Sequence, residues 1–120
     1  MFTLKKIEAM SNTNFKIPTE DIKDLISPMG FCLVSNKITV DGMKVGFMYR
    51  EKMFEKEDSG WRFLSGTETE EYLEDPTMGK ILDVNTVANY DAAIIPYLKM
   101  PVGTELERVE GTEEFKILDL

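Results

Sequence analysis

Two clusters of carboxylates flank the single tryptophan of this 120-residue chain. Glu55, Glu57 and Asp58 precede Trp61, and Glu68, Glu70, Glu71, Glu74 and Asp75 follow it. Folded together, such groups could hold Mg2+ or Ca2+, which take oxygen ligands from Asp and Glu, although the spacing matches no EF-hand loop. The ordinary reading of such runs is a solvated acidic face, and the third is a docking patch for a basic partner. The expected helix following Thr67 weighs on this choice. Glu70 and Glu74 are like charges four apart, which costs roughly a few tenths of a kcal/mol. Glu74 and Asp75 fall near its C-terminus, where negative charge is unfavourable. Acid concentrated there does not help folding, which favours a partner surface. Its expected members are Glu55, Glu57, Asp58, Glu68, Glu70, Glu71 and Glu74, with Arg62 as a polar anchor beside them.

Other chemistry is poorly supplied. The chain contains no histidine, so Ser-His-Asp and Cys-His nucleophile systems, and most catalytic zinc sites, cannot be assembled. Cys32, the one cysteine, sits within the apolar run Phe31 to Val34, where burial raises a thiol pKa and makes it inert. Neither GxxxxGK[ST] nor GxGxxG occurs, so nucleotide chemistry has no cradle for phosphate. We expect a non-enzymatic protein with no cofactor, no catalytic residues and no metal.

Fourteen basic residues against 22 acidic ones give a net charge of -8. That field repels nucleic acid and anionic lipid, and speeds encounter with a basic protein. Solubility alone is the plain alternative. A lone cysteine suits a reducing compartment. No stretch approaches the ~20 apolar residues of a membrane helix, and the N-terminus lacks the pattern of a signal peptide. A cytoplasmic location is expected. Length and the 42% hydrophobic content fit one globular domain over 1–120.

The elements that must position these groups read as α+β. Phe2 and Leu4 alternate like a strand, whereas Leu4, Ile7 and Met10 suggest a helical stripe. Thr19 resembles an N-cap, with Ile22, Leu25 and Ile26 on one helix face before Ser27-Pro28-Met29-Gly30. Phe31 to Val34, Ile38 and Val40 read as a strand. Asp41-Gly42 is a type I′ hairpin signal that would pair Val40 with Met43, Ile38 with Val45 and Val34 with Tyr49. Trp61 to Ser65 would complete an antiparallel meander, with Trp61 and Arg62 on opposite faces. Thr67 and Glu70 fit a capping box for a short helix that Pro76 stops. Asp83 and Asp91 would cap two short helical turns; Asn85, Asn89 and Tyr90 look like turn chemistry first and surface recognition second. Glu105 to Val109 and Phe115 to Leu118 read as strands turned at Glu110-Gly111. The expected whole is an antiparallel sheet of about five strands, with short helices packed on one face.

Several segments occur together in order: Gly46-Phe-Met-Tyr-Arg-Glu51, Asp58-Ser-Gly-Trp-Arg-Phe-Leu-Ser-Gly66 followed by Glu68, Asn85-Thr-Val-Ala-Asn-Tyr-Asp91, Ile94-Ile-Pro-Tyr-Leu98 and Pro101-Val-Gly103. In these the chain resembles the immunity protein 33 family, over 31–108. The N-terminal extension 1–30 and the C-terminal hairpin lie outside that resemblance. It implies a bacterial cytoplasmic protein of a polymorphic toxin system, which neutralises a toxin by binding it. It carries no catalytic residues across. The partner is then expected to be a protein, a basic toxin domain; a homodimer of unrelated role and a carboxylate-based metal enzyme are the alternatives.

Overall fold

A computed structural model describes residues 14–118; the expected strand or stripe at Phe2 to Met10 lies outside them. Among the described residues, six strands form one mixed sheet in the order β4-β1-β3-β2-β5-β6. They are β1 Phe31–Ser35, β2 Phe47–Arg50, β3 Asp58–Leu64, β4 Gly79–Asp83, β5 Glu105–Arg108 and β6 Phe115–Ile117. Three short α-helices, α1 Asn36–Thr39, α2 Glu70–Glu74 and α3 Val84–Tyr90, and a 3-10 helix over Ala92–Tyr97 complete the main architecture. The α+β expectation holds, with mostly antiparallel pairing.

The Asp41-Gly42 hairpin does not form. Ser35 accepts a hydrogen bond from the Lys37 N–H and caps α1, which turns the chain away from β1. Gly42, with φ 78°, then ends that helix rather than a hairpin. The meander is interrupted: β3 lies between β1 and β2, parallel to β1 and antiparallel to β2. Val34 pairs with Phe63 and Lys80, not with Tyr49. Lys80 belongs to the edge strand β4.

One sheet face carries Cys32 and Val34, Met48, Trp61 and Phe63, Leu106 and Phe115, packed on Val84, Val87, Ala88, Ile94 and Leu98. Fully burying each large apolar side chain contributes about 1.5–3 kcal/mol. Burial pushes the Cys32 thiol far up, so it is an inert core group. Trp61 is fully buried and donates from its indole N–H to the Leu98 carbonyl at 3.0 Å. Asp83 and Asp91 cap α3 and the 3-10 helix as the sequence implies, accepting from the Asn85 and Ala93 N–H groups. Thr67 does not cap α2. Thr69 does, accepting from Tyr72 N–H at 3.1 Å.

Before the sheet, the expected helix at Ile22 to Ile26 reduces to one 3-10 turn, Thr19–Asp21. The reason lies on α3. Asn85 accepts from the Leu25 and Ile26 N–H groups and donates to the Lys23 carbonyl. Asn89 both accepts from and donates to Lys23, and the Tyr90 hydroxyl binds Ile17. Side chains one helical turn apart thus satisfy backbone groups that a helix would otherwise pair internally.

At the sheet edge, Lys80 points inward beside Val34 and is 4% exposed. Its Nζ donates to the carbonyls of Thr77 and Gly79 and to Asn36 Oδ1, and burial pushes its pKa down despite the nearby Asp75. An inward charge on an edge strand discourages edge-to-edge pairing.

Candidate partner-binding site

Two groups expected on the surface are interior. Asp58 is 1% exposed and Arg62 fully buried. Arg62 grips Asp58 through two nitrogens, NH1 to Oδ1 at 2.9 Å and NH2 to Oδ2 at 2.7 Å, and its Nε donates to Glu51 at 2.6 Å. The remaining guanidinium hydrogen-bonding reaches the Trp61 carbonyl. Asp58 also accepts from the N–H groups of Phe54 and Gly60, each at 2.8 Å. Burial pushes the Asp58 carboxyl up, but the hydrogen bonds from Arg62, Phe54 and Gly60, and the guanidinium charge, outweigh it and hold it below its ordinary value.

Strand alternation predicts Arg62 on the face opposite Trp61, and Asp58 and Arg62 are expected at a partner surface; both are instead buried. β3 is a central strand covered on both faces, with every residue buried. A bulge explains how residues four apart in a strand can meet. Register shifts from Phe31–Asp58 to Leu33–Arg62, and Gly60 takes φ 87°. A Cβ on Gly60 would stand 2.4 Å from the Glu51 carbonyl. That glycine within an apolar strand was the signal available in the sequence.

The rest of the acid is divided. Glu55 and Glu57 lie in the loop entering β3, whereas Glu68, Glu70, Glu71 and Glu74 follow its exit. Seven strand residues separate the two ends, on the order of 20 Å at the usual rise per residue. The single acidic patch expected from sequence is therefore two. Among the described residues no group of three or more His, Cys, Asp or Glu side chains is placed to hold a metal. Glu68 is also engaged. It accepts from the Ser65 N–H and hydroxyl at 2.9 Å and the Gly66 N–H at 3.0 Å. Burial raises its pKa, but hydrogen bonds from Ser35 and Ser65 bring it down overall.

Glu55, Glu57, Glu70, Glu71 and Glu74 are exposed, and among the described residues no ion pair holds their carboxylates. Apolar surface collects at the entry end of β3. Met53 is 55% exposed and Phe54 61%, in the loop that carries Glu55 and Glu57. Val102, 55% exposed, lines a hollow with Glu51, Lys52 and Glu105 beside it. Arg50 ties these loops together, donating from Nε to the Ser59 carbonyl and from NH1 to that of Met100. Composition alone did not single out Met53 and Phe54, because their exposure depends on where β2 and β3 end.

The connecting loops of this mixed-sheet α+β domain carry exposed charged and apolar side chains, and binding residues commonly lie on loops held by such a scaffold. The family model for the Immunity protein Imm33 domain matches residues 32–118, most of the chain. The chain belongs to the Imm33 immunity protein family, whose role is toxin immunity in general. The match runs on through β6, past Arg108, where the sequence resemblance ends. No curated protein and no solved structure matches the chain. No helix among the described residues is long and apolar enough to cross a membrane.

Much of the family-like sequence serves as scaffold. Asp58, Gly60, Trp61 and Arg62 build the β3 bulge and its charge pair, and Asn85, Asn89 and Tyr90 hold the N-terminal segment. Asp91 joins α3 to the sheet, accepting from Val45 N–H at 2.9 Å and from the Arg108 guanidinium.

Proposed function

We propose that this chain is a cytoplasmic, non-enzymatic immunity protein that neutralises a basic toxin domain by occluding its surface. The family match over 32–118 carries that reading; the net charge of -8 and the unpaired surface carboxylates support the basic partner. Glu70, Glu71 and Glu74 at one end of β3, and Glu55 and Glu57 at the other, steer the toxin and accept hydrogen bonds from its Lys and Arg side chains. Glu68 positions the α2 end through Ser65, while Asp58 and Arg62 support the loop end from within. A standard interface covers about 800 Å2 on each partner, enough to engage one end fully.

Exposed charges act mainly on association rate. The double substitution Glu70→Lys/Glu71→Lys should slow association with the toxin domain by roughly tenfold or more, and wild-type binding should weaken steeply with added salt. Stopped-flow measurement at two ionic strengths checks both. Unchanged rates in the double variant would remove the α2 end from the interface.

A further inference from the structure

The most exposed large apolar side chain among the described residues, Phe54, stands next to Met53 on the loop between β2 and β3. Single exposed apolar residues are ordinary. This pair is unusual in how firmly its base is held. Phe54 N–H donates to the buried Asp58 carboxylate, and Asp58 N–H returns a bond to the Glu55 carbonyl at 3.0 Å. The Glu51 N–H bonds the Gly60 carbonyl at 2.9 Å, and Arg62 holds the Glu51 side chain. The charge pair thus fixes both ends of a short loop whose tip is apolar. A side chain presented from an ordered base loses less freedom on binding than one on a slack loop, and aromatic anchors dominate interface energetics.

We propose that Met53 and Phe54 form an apolar anchor that inserts into an apolar pocket rimmed by Lys or Arg on the protein partner. The rim chemistry follows from charge. Glu55, Glu57 and Glu105, with Glu51 held by Arg62, surround the tip and its adjoining hollow against Arg50, Lys52 and Lys56, four acids to three bases on a chain of net charge -8. Val102, itself exposed, lines that hollow with Glu51 and Lys52 at the base of the loop. Asp58 and Arg62 are positioning residues for the anchor. The inference rests on the immunity reading for its partner, and deepens it by naming what that partner presents.

A β-cyclodextrin whose rim carries ammonium groups offers that chemistry without any toxin. Titrated into the full chain and followed by NMR, it should shift resonances of Met53, Phe54, Val102 and the adjoining loop. A carboxylate-rimmed host should bind roughly tenfold more weakly, and Phe54→Ser should abolish the shifts while leaving the urea unfolding midpoint unchanged. In the toxin complex, the same substitution should speed dissociation by roughly tenfold or more. Equal affinity for both hosts, shifts centred elsewhere, or dissociation unaffected by Phe54→Ser would overturn the proposal. Neutralisation that survives Phe54→Ser would leave the immunity reading standing while removing this anchor from it.

Discussion

Asp58→Ala should cost about 3–5 kcal/mol of folding stability, the range for stripping one partner from a buried ion pair. The substitution leaves the Arg62 guanidinium buried with only Glu51 and a carbonyl to answer it, and guanidinium does not deprotonate to relieve the cost. The Phe54 and Gly60 N–H groups lose their acceptor as well. Asp58→Leu combined with Arg62→Met should recover part of the loss, because the uncompensated charge is gone while two orphaned donors remain. Urea midpoints of the three proteins give the order directly; a loss under about 1 kcal/mol for Asp58→Ala would mean that the pair is not shielded as the geometry requires.

The pair also sets a pH dependence. The Asp58 carboxyl is held below its ordinary value of 3.8 in the folded protein. Its contribution is therefore fully present above the unfolded value and is lost as pH falls through the lower, folded one. Wild-type stability should fall more steeply through that acid range than that of Asp58→Ala.

Asp91→Ala is the second large loss, again about 3–5 kcal/mol. Asp91 is 2% exposed and meets three elements at once. It accepts from Val45 N–H ahead of β2, from Ala93 N–H at the 3-10 helix and from Arg108 on β5. Arg108 retains the Val45 carbonyl and the exposed Glu113, and lies over the Phe115 ring, so its charge is only partly answered once Asp91 is gone. Calorimetric melting should show the lowered midpoint, with Glu113→Ala as a control expected to cost less than about 1 kcal/mol, because that partner is solvent-exposed.

The parts of the fold that were legible in sequence are local. The Asp83 and Asp91 caps, the stop before Pro76, the C-terminal hairpin and the buried Cys32 and Trp61 each follow from side chains within a few positions. What was illegible depends on distant partners. Asp41-Gly42 supplies a positive φ equally well to a hairpin or a helix end, and Ser35 decides by capping α1. Nothing near β1 announces that β3 will pair with it in parallel. Arg62 misled because alternation assumes one solvated face, whereas β3 has none. The acidic site suffered similarly: its carboxylates are close in sequence, but the length of β3 holds them apart.

The central claim is that the chain acts on a toxin by stoichiometric occupation, without turnover. Titrating the full chain against a fixed amount of the purified toxin domain, with residual toxin activity as the readout, tests it directly. Activity should fall linearly and reach its floor at one equivalent of chain per toxin, and should return when added salt separates the two. Complete inactivation by a small fraction of an equivalent, persisting after separation, would contradict the claim.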